Sequence, residues 1–74
     1  MIVTHSHFRT IPARAGSGYC NRGGRAWFER HGLDWSDFVH NGIDESALLS
    51  TGDGLAIKLV EWARQSEAEA RARG

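Results

Sequence analysis

Cysteine, proline, tyrosine and methionine each occur once in the 74 residues of this chain, and no long apolar run is present. A single cysteine excludes an internal disulfide. It therefore excludes the stapled, secreted mini-protein, which at this size carries an even set. Cys20 lies beside Tyr19 and ahead of a helical pattern, and is expected as a small buried hydrophobe in a reducing compartment. No stretch approaches the roughly 18 consecutive apolar residues of a membrane span. The opening MIV gives way to histidines and arginines, so no secretory signal is expected there. An excess of either charge is also missing. Nine basic and nine acidic side chains give a formal net charge of zero, which argues against bulk attraction to a polyanion.

The zero conceals a segregation. Residues 1–33 hold Arg9, Arg14, Arg22, Arg25 and Arg30 against Glu29 alone. Residues 34–53 hold Asp34, Asp37, Asp44, Glu45 and Asp53 with no lysine or arginine, and residues 54–74 mix both signs. The pattern predicts a dipolar surface, or pairing between the first two thirds.

Aromatic residues are equally concentrated. Residues 18–43 carry Tyr19, Trp27, Phe28, Trp35 and Phe38. A chain this short buries only roughly 60% of its unfolded surface, so these side chains have to supply much of the core. Asn21 is expected to cap a first helix that Gly32 ends, with Gly23 and Gly24 permitting close approach by another helix or the N-terminal segment. A second helix follows from Asp34 as cap, Asp37 in the first turn, and Leu33 with Phe38 at the spacing of a hydrophobic staple; Gly42 stops it. Asp44 caps a short third helix with Ala47 and Leu48 facing inward. Thr51 or Asp53 starts the last one, whose apolar stripe is Leu55, Ala56, Leu59, Val60 and Ala63, widened by Ile57 and Trp62.

Residues 2–11 read as the single plausible strand, weakly alternating and with no second strand to pair, hence an extended arm or half of an intermolecular pair, anchored by Phe8 and Ile11. Residues 12–18, opened by Pro12 and holding Arg14, read as a mobile linker. The expected fold is all-α: a compact bundle of three or four short helices with an extended N-terminal arm. The arm and loop take 1–17, the helical domain 18–66, and a solvated helical tail 67–74. Trp27, Phe28, Trp35, Phe38, Leu55, Leu59 and Val60 are the expected core. The unpaired arm and the wide apolar arc of the last helix predict a homodimer.

Catalytic and metal patterns have plainer explanations. His5-x-His7 would place two rings on one side of a strand, but no CxxC or HxxxH accompanies them, and zinc takes about three or four such ligands. His31 and His40 each precede a helix-ending glycine and suit terminal carbonyls. Cys20 and His31 lie roughly 16 Å apart along one helix, too far for a dyad. The serines have no elbow motif, the paired carboxylates have capping roles, and the glycine-rich stretches lack the GxxxxGK of a phosphate loop. No enzyme, metal or cofactor is expected. Arg22 and Arg25, three apart on a helix face with Arg14 and Arg30 nearby, leave DNA binding as an alternative.

Residues 18–63 resemble a group of small proteins encoded by tailed bacteriophages and prophages. The resemblance is carried by Gly18-Tyr19-Cys20, Trp27-Phe28, His31-Gly32-Leu33-Asp34, Phe38, Gly42-Ile43 and Thr51-Gly52-Asp53. Gly24 and Gly54 depart from it, standing where helix-favouring residues would be more natural. The resemblance implies a phage-encoded protein in the host cytoplasm, acting as an accessory or morphogenesis factor that binds another protein. An anti-CRISPR-like inhibitor of a host defence complex is the alternative. The residues expected to meet the partner are Arg14, Arg22, Arg25, Arg30, Asp37, Asp44 and Glu45, since a divided surface suits oriented docking to a protein better than a duplex that is negative throughout.

Overall fold

Three helices of this protein begin in the same way. At Val3-Thr4, Leu33-Asp34 and Ile43-Asp44 an apolar residue precedes a capping side chain. The fourth helical residue beyond each cap (Phe8, Phe38 and Leu48) is at most 3% exposed. Thr4 Oγ1 accepts from the His7 amide at 3.3 Å, Asp34 Oδ1 from the Asp37 amide at 3.0 Å, and Asp44 Oδ2 from the Ser46 amide at 3.0 Å. This is the staple spacing, repeated at three entries into one core.

The computed structural model describes residues 1–13 and 16–73. Its elements run β1 (Ile2–Val3), α1 (His5–Thr10), β2 (Pro12–Ala13), β3 (Gly16–Ser17), α2 (Asn21–Arg30), α3 (Trp35–Asn41), β4 (Ile43–Asp44), α4 (Glu45–Leu49) and α5 (Gly54–Arg73). The radius of gyration is 11.8 Å, close to the roughly 11 Å of a compact chain of this length. The molecule is a small, mostly helical globular domain, but it differs from the expected bundle in two respects. It has five helices among the described residues, not three or four, and two short antiparallel ladders. β1 pairs with β4, placing Val3 opposite Ile43, and β2 pairs with β3, placing Pro12 opposite Ser17.

The N-terminal segment is not an extended arm. Thr4 opens a capping box in which His7 takes the place usually held by glutamate: the Thr4 amide donates to His7 Nδ1 at 2.9 Å. Val3, Phe8 and Ile11 are buried in the common core, so the segment belongs to the domain. Its strand finds a partner within the chain, at Ile43. Residues 12–18, expected as a mobile linker, contain the β2–β3 hairpin; Arg14 lies outside the described residues.

The core is aromatic at its centre. Phe28 and Phe38 lie 4.8 Å apart between ring centroids, and Trp35 meets Phe8 and Phe28 edge-on at 5.3 Å each. Ala56, Leu59, Val60 and Ala63 of α5 close it. Leu55 does not join them. It sits on the flank of that helical stripe, 55% exposed, contrary to its expected place in the core. Asn21 does begin α2, but its side chain accepts from His5 Nε2–H at 3.0 Å instead of capping, and Cys20 occupies the cap. Gly32 and Gly42 end α2 and α3 as expected, with φ of +68° and +78°. The tail beyond Ala63 is exposed from Glu67 onward, yet Glu67 Oε1 lies 3.2 Å from His7 Nε2 and ties α5 to α1.

Candidate functional site

A groove of about 380 Å³ lies between α2 and α5. Gly23, Gly24, Ala26, Trp27 and Arg30 form its α2 wall, Leu55, Ala56 and Leu59 its α5 wall, with Phe8, Tyr19 and Cys20 completing the lining. The walls are apolar because α2 and α5 turn small residues toward each other at Gly23, Ala26 and Ala56, and these do not fill the gap between the helices. Tyr19 braces one side: its hydroxyl donates to the Leu55 carbonyl at 3.2 Å. Partial burial, and then the charge of Asp53, push the phenol pKa upward.

Polar groups gather at the ends of the groove. Cys20, expected to be buried, is exposed. It occupies the cap position before the first turn of α2, though its side chain makes no capping hydrogen bond. The Gly23 amide, the Arg22 amide and, more weakly, the Arg22 charge lower its pKa. Asp53 caps α5, its Oδ1 accepting from the Leu55 amide at 2.8 Å. The Trp27 indole N–H, then the Leu55 amide, hold its carboxyl below the usual carboxylate range. The indole contact does not reach ordinary hydrogen-bond geometry, so buried Trp27 Nε1 is left without a full partner. The Trp27 ring instead lies against His31, with centroids 4.2 Å apart and the planes tilted by 38°.

The residues expected to meet a partner do not form one site. Arg30 lines the groove, whereas Arg22 is exposed outside its lining, with its charge reaching Cys20. Arg25 lies on a different flank of α2, in a shallower recess with Glu29, Leu33 and Asp34. Asp37 is exposed on α3, where its Oδ1 accepts from Asn41 Nδ2 at 2.8 Å. Asp44 and Glu45 belong to the start of α4. Glu45 Oε1 accepts from the Met1 amino group at 3.2 Å, and its Oε2 is 2.8 Å from Arg64 Nη2. These two contacts hold the Glu45 carboxyl below its ordinary range, and hydrogen bonds from the Ser46 hydroxyl and amide do the same for Asp44. Among the described residues no ion pair joins an arginine of the first third to an acid of 34–53. Among the described residues the segregated charges therefore do not neutralise each other by internal pairing.

The histidines serve separate structural roles. His5 meets Asn21 and His7 lies between Thr4 and Glu67, while His40 Nδ1–H donates to the Ser36 carbonyl at 2.8 Å, in the first turn of α3 and not to the terminal carbonyls it was expected to cap. Among the described residues no group of three or more histidine, cysteine, aspartate or glutamate side chains could hold a metal ion. Among the described residues no helix is long and apolar enough to cross a membrane. Sequence reasoning missed the groove, the exposure of Cys20 and the part played by Leu55. The one signal that pointed there was Gly23-Gly24 within a helical pattern. Compared with known protein-family models, curated proteins and solved structures, the chain has no match.

Proposed function

We propose that this protein acts without catalysis, by binding another protein at the α2–α5 groove. The observation that carries this reading is an apolar groove continued onto the surface by Leu55, which is more than half exposed and packs into no part of the core. An open apolar channel of this kind suits an inserted side chain from a macromolecule. The resemblance of residues 18–63 to small tailed-phage and prophage proteins supports a role among them. The protein would serve there as an accessory or morphogenesis factor in the host cytoplasm, bound to a phage or host protein. An inhibitor of a host defence complex would use the same surface.

The test is capture of partners from phage-infected and uninfected host lysate at about 150 mM salt, near physiological ionic strength. It is run beside a salt titration of binding to random duplex DNA and sedimentation equilibrium of the purified protein. A specific protein retained at that salt supports the reading. Micromolar DNA binding that weakens steeply with salt and is lost on Arg22→Ala with Arg25→Ala would replace it with a nucleic-acid role. A dimer at tens of micromolar, with no other protein captured, would make a second copy of the chain the partner.

A further inference from the structure

Gly23 has no place in the packing of this fold. It lies inside α2 with ordinary helical backbone, where glycine disfavours the helix relative to alanine. A Cβ at Gly23 would meet only the Cys20 Cβ, at 3.9 Å, an ordinary contact. Its neighbour Gly24 is different, because a Cβ there would strike Phe8. What the bare backbone at Gly23 does provide is depth in the groove wall next to the Cys20 thiol.

The charges around the groove are not balanced. Arg30 lines the Trp27 end; Arg22, in the first turn of α2 outside the lining, is exposed with its charge reaching Cys20 at the other end, and neither forms an ion pair among the described residues. The acid at the groove, Asp53, is engaged by the Leu55 amide as the cap of α5. Arg22 and Arg30 are eight residues apart, about 12 Å along the helix. In an extended peptide, residues at i−2, i and i+2 point to one side and span roughly 13 Å.

We propose, building on the protein-binding reading, that the groove accepts a bulky apolar side chain from an extended, acidic segment of a partner protein. The anchor packs against the bare backbone of Gly23, and carboxylates two residues before and two after it are held by Arg22 and Arg30. The bidentate geometry of guanidinium with carboxylate fixes the segment in register along α2.

The test uses a display library of random linear 12-residue peptides selected on the intact chain. The expected result is enrichment of leucine, phenylalanine or tryptophan flanked at both second neighbours by aspartate or glutamate. Selected peptides should slow alkylation of Cys20 by iodoacetamide and lose about tenfold or more in affinity for Gly23→Leu, as removal of an anchor pocket does. The double variant Arg22→Ala, Arg30→Ala should lose affinity comparably and lose the preference for acids. Gly23→Leu puts side-chain atoms into open space and should fold; a thermal melt by circular dichroism checks this, and Gly23→Ala is a smaller step that also partly fills the groove. No enrichment, enrichment of peptides lacking acids, or undiminished binding to folded Gly23→Leu overturns the proposal. Retention of the lysate partner by Gly23→Leu would overturn it while leaving the protein-binding reading intact. Failure to capture any protein would overturn that reading instead.

Discussion

Gly24 lies against the edge of Phe8: a Cβ added to Gly24 would sit 2.5 Å from Phe8 Cζ and 3.0 Å from Trp35 Cζ3. Phe8 is 3% exposed and meets Tyr19, Trp35 and Phe38 edge-on, so its ring has nowhere to retreat. Gly24→Ala is therefore expected to destabilise the protein by about 1–3 kcal/mol despite alanine's better helix propensity. Gly23→Ala, one residue away, where a Cβ makes only an ordinary contact with the Cys20 Cβ, should stabilise it by up to about 1 kcal/mol. Urea unfolding of the two variants checks the opposite signs; equal m-values would show that the unfolded states are alike.

The aromatic centre ranks its members differently from the apolar stripe of α5. Phe38 is 1% exposed and 4.8 Å from Phe28, so Phe38→Ala should cost about 3–5 kcal/mol, enough to unfold a domain of this size. Leu55→Ala should change stability by no more than about 0.5 kcal/mol, because that side chain is already in water. Equal losses in the two variants, measured by thermal or urea unfolding, would mean that Leu55 has a covered environment.

Most of the helical plan was legible. The Leu33–Asp34–Asp37–Phe38 signature, the Asp44 cap, the stops at Gly32 and Gly42, and the long last helix all stand where the sequence placed them. The first helix was missed, although Val3–Thr4–His7–Phe8 has the spacing of Leu33–Asp34–Asp37–Phe38. Histidine at the third helical position hid the capping box, since its imidazole accepts through one ring nitrogen where glutamate would offer a carboxylate. The β1–β4 ladder joins Val3 to Ile43, and no local pattern announces a two-residue pairing across that separation. The groove was illegible for a related reason. Whether Gly23 and Gly24 face another element or open space depends on how α1 packs, and the sequence of α1 by itself reads as a strand.

The His7 capping box has its own test. The Thr4 amide donates to Nδ1, so the proton of the neutral ring is on Nε2, where it faces Glu67 Oε1. His7→Ala removes the acceptor and leaves a partly buried amide unpaired, at an expected cost of about 1–2 kcal/mol. His7→Gln keeps a side-chain acceptor at the third helical position and should recover at least about half of that loss. Glu67→Gln should matter less, about 0–1 kcal/mol, since the Glu67 side chain is half exposed. If the alanine and glutamine variants melted alike, the ring would be acting through packing alone.

Acid should loosen the ends of α4 and α5 first. Asp44, Glu45 and Asp53 all have folded-state pKa values below their ordinary range. A depressed carboxyl contributes stability that is present in full above its unfolded pKa, about 4, and is lost as pH falls through the folded value. Denaturation midpoints are therefore expected to hold from neutrality down to roughly pH 5 and then to fall. Glu45→Gln should flatten part of that fall, because it removes the carboxylate that Arg64 and the Met1 amino group engage. An unchanged acid limb in Glu45→Gln would assign the pH dependence to Asp44 and Asp53.

The Cys20 thiol should be more acidic in the folded chain than in the unfolded one. The Gly23 and Arg22 amides at the start of α2 are the leading causes and the Arg22 charge a lesser one. Alkylation by iodoacetamide, followed against pH, should therefore show its inflection below the roughly 8.5 of a free cysteine in native protein, and near that value in concentrated urea. Arg22→Ala should move the native inflection only slightly upward, since the amide at that position remains, whereas melting α2 should abolish the shift. The linkage has the sign of a depressed acid. Thiolate stabilises the fold, so the denaturation midpoint of the native chain should gain on that of Cys20→Ser as pH rises from about 7 to 9. An inflection that is the same with and without urea would show that the α2 amides do not reach the sulfur.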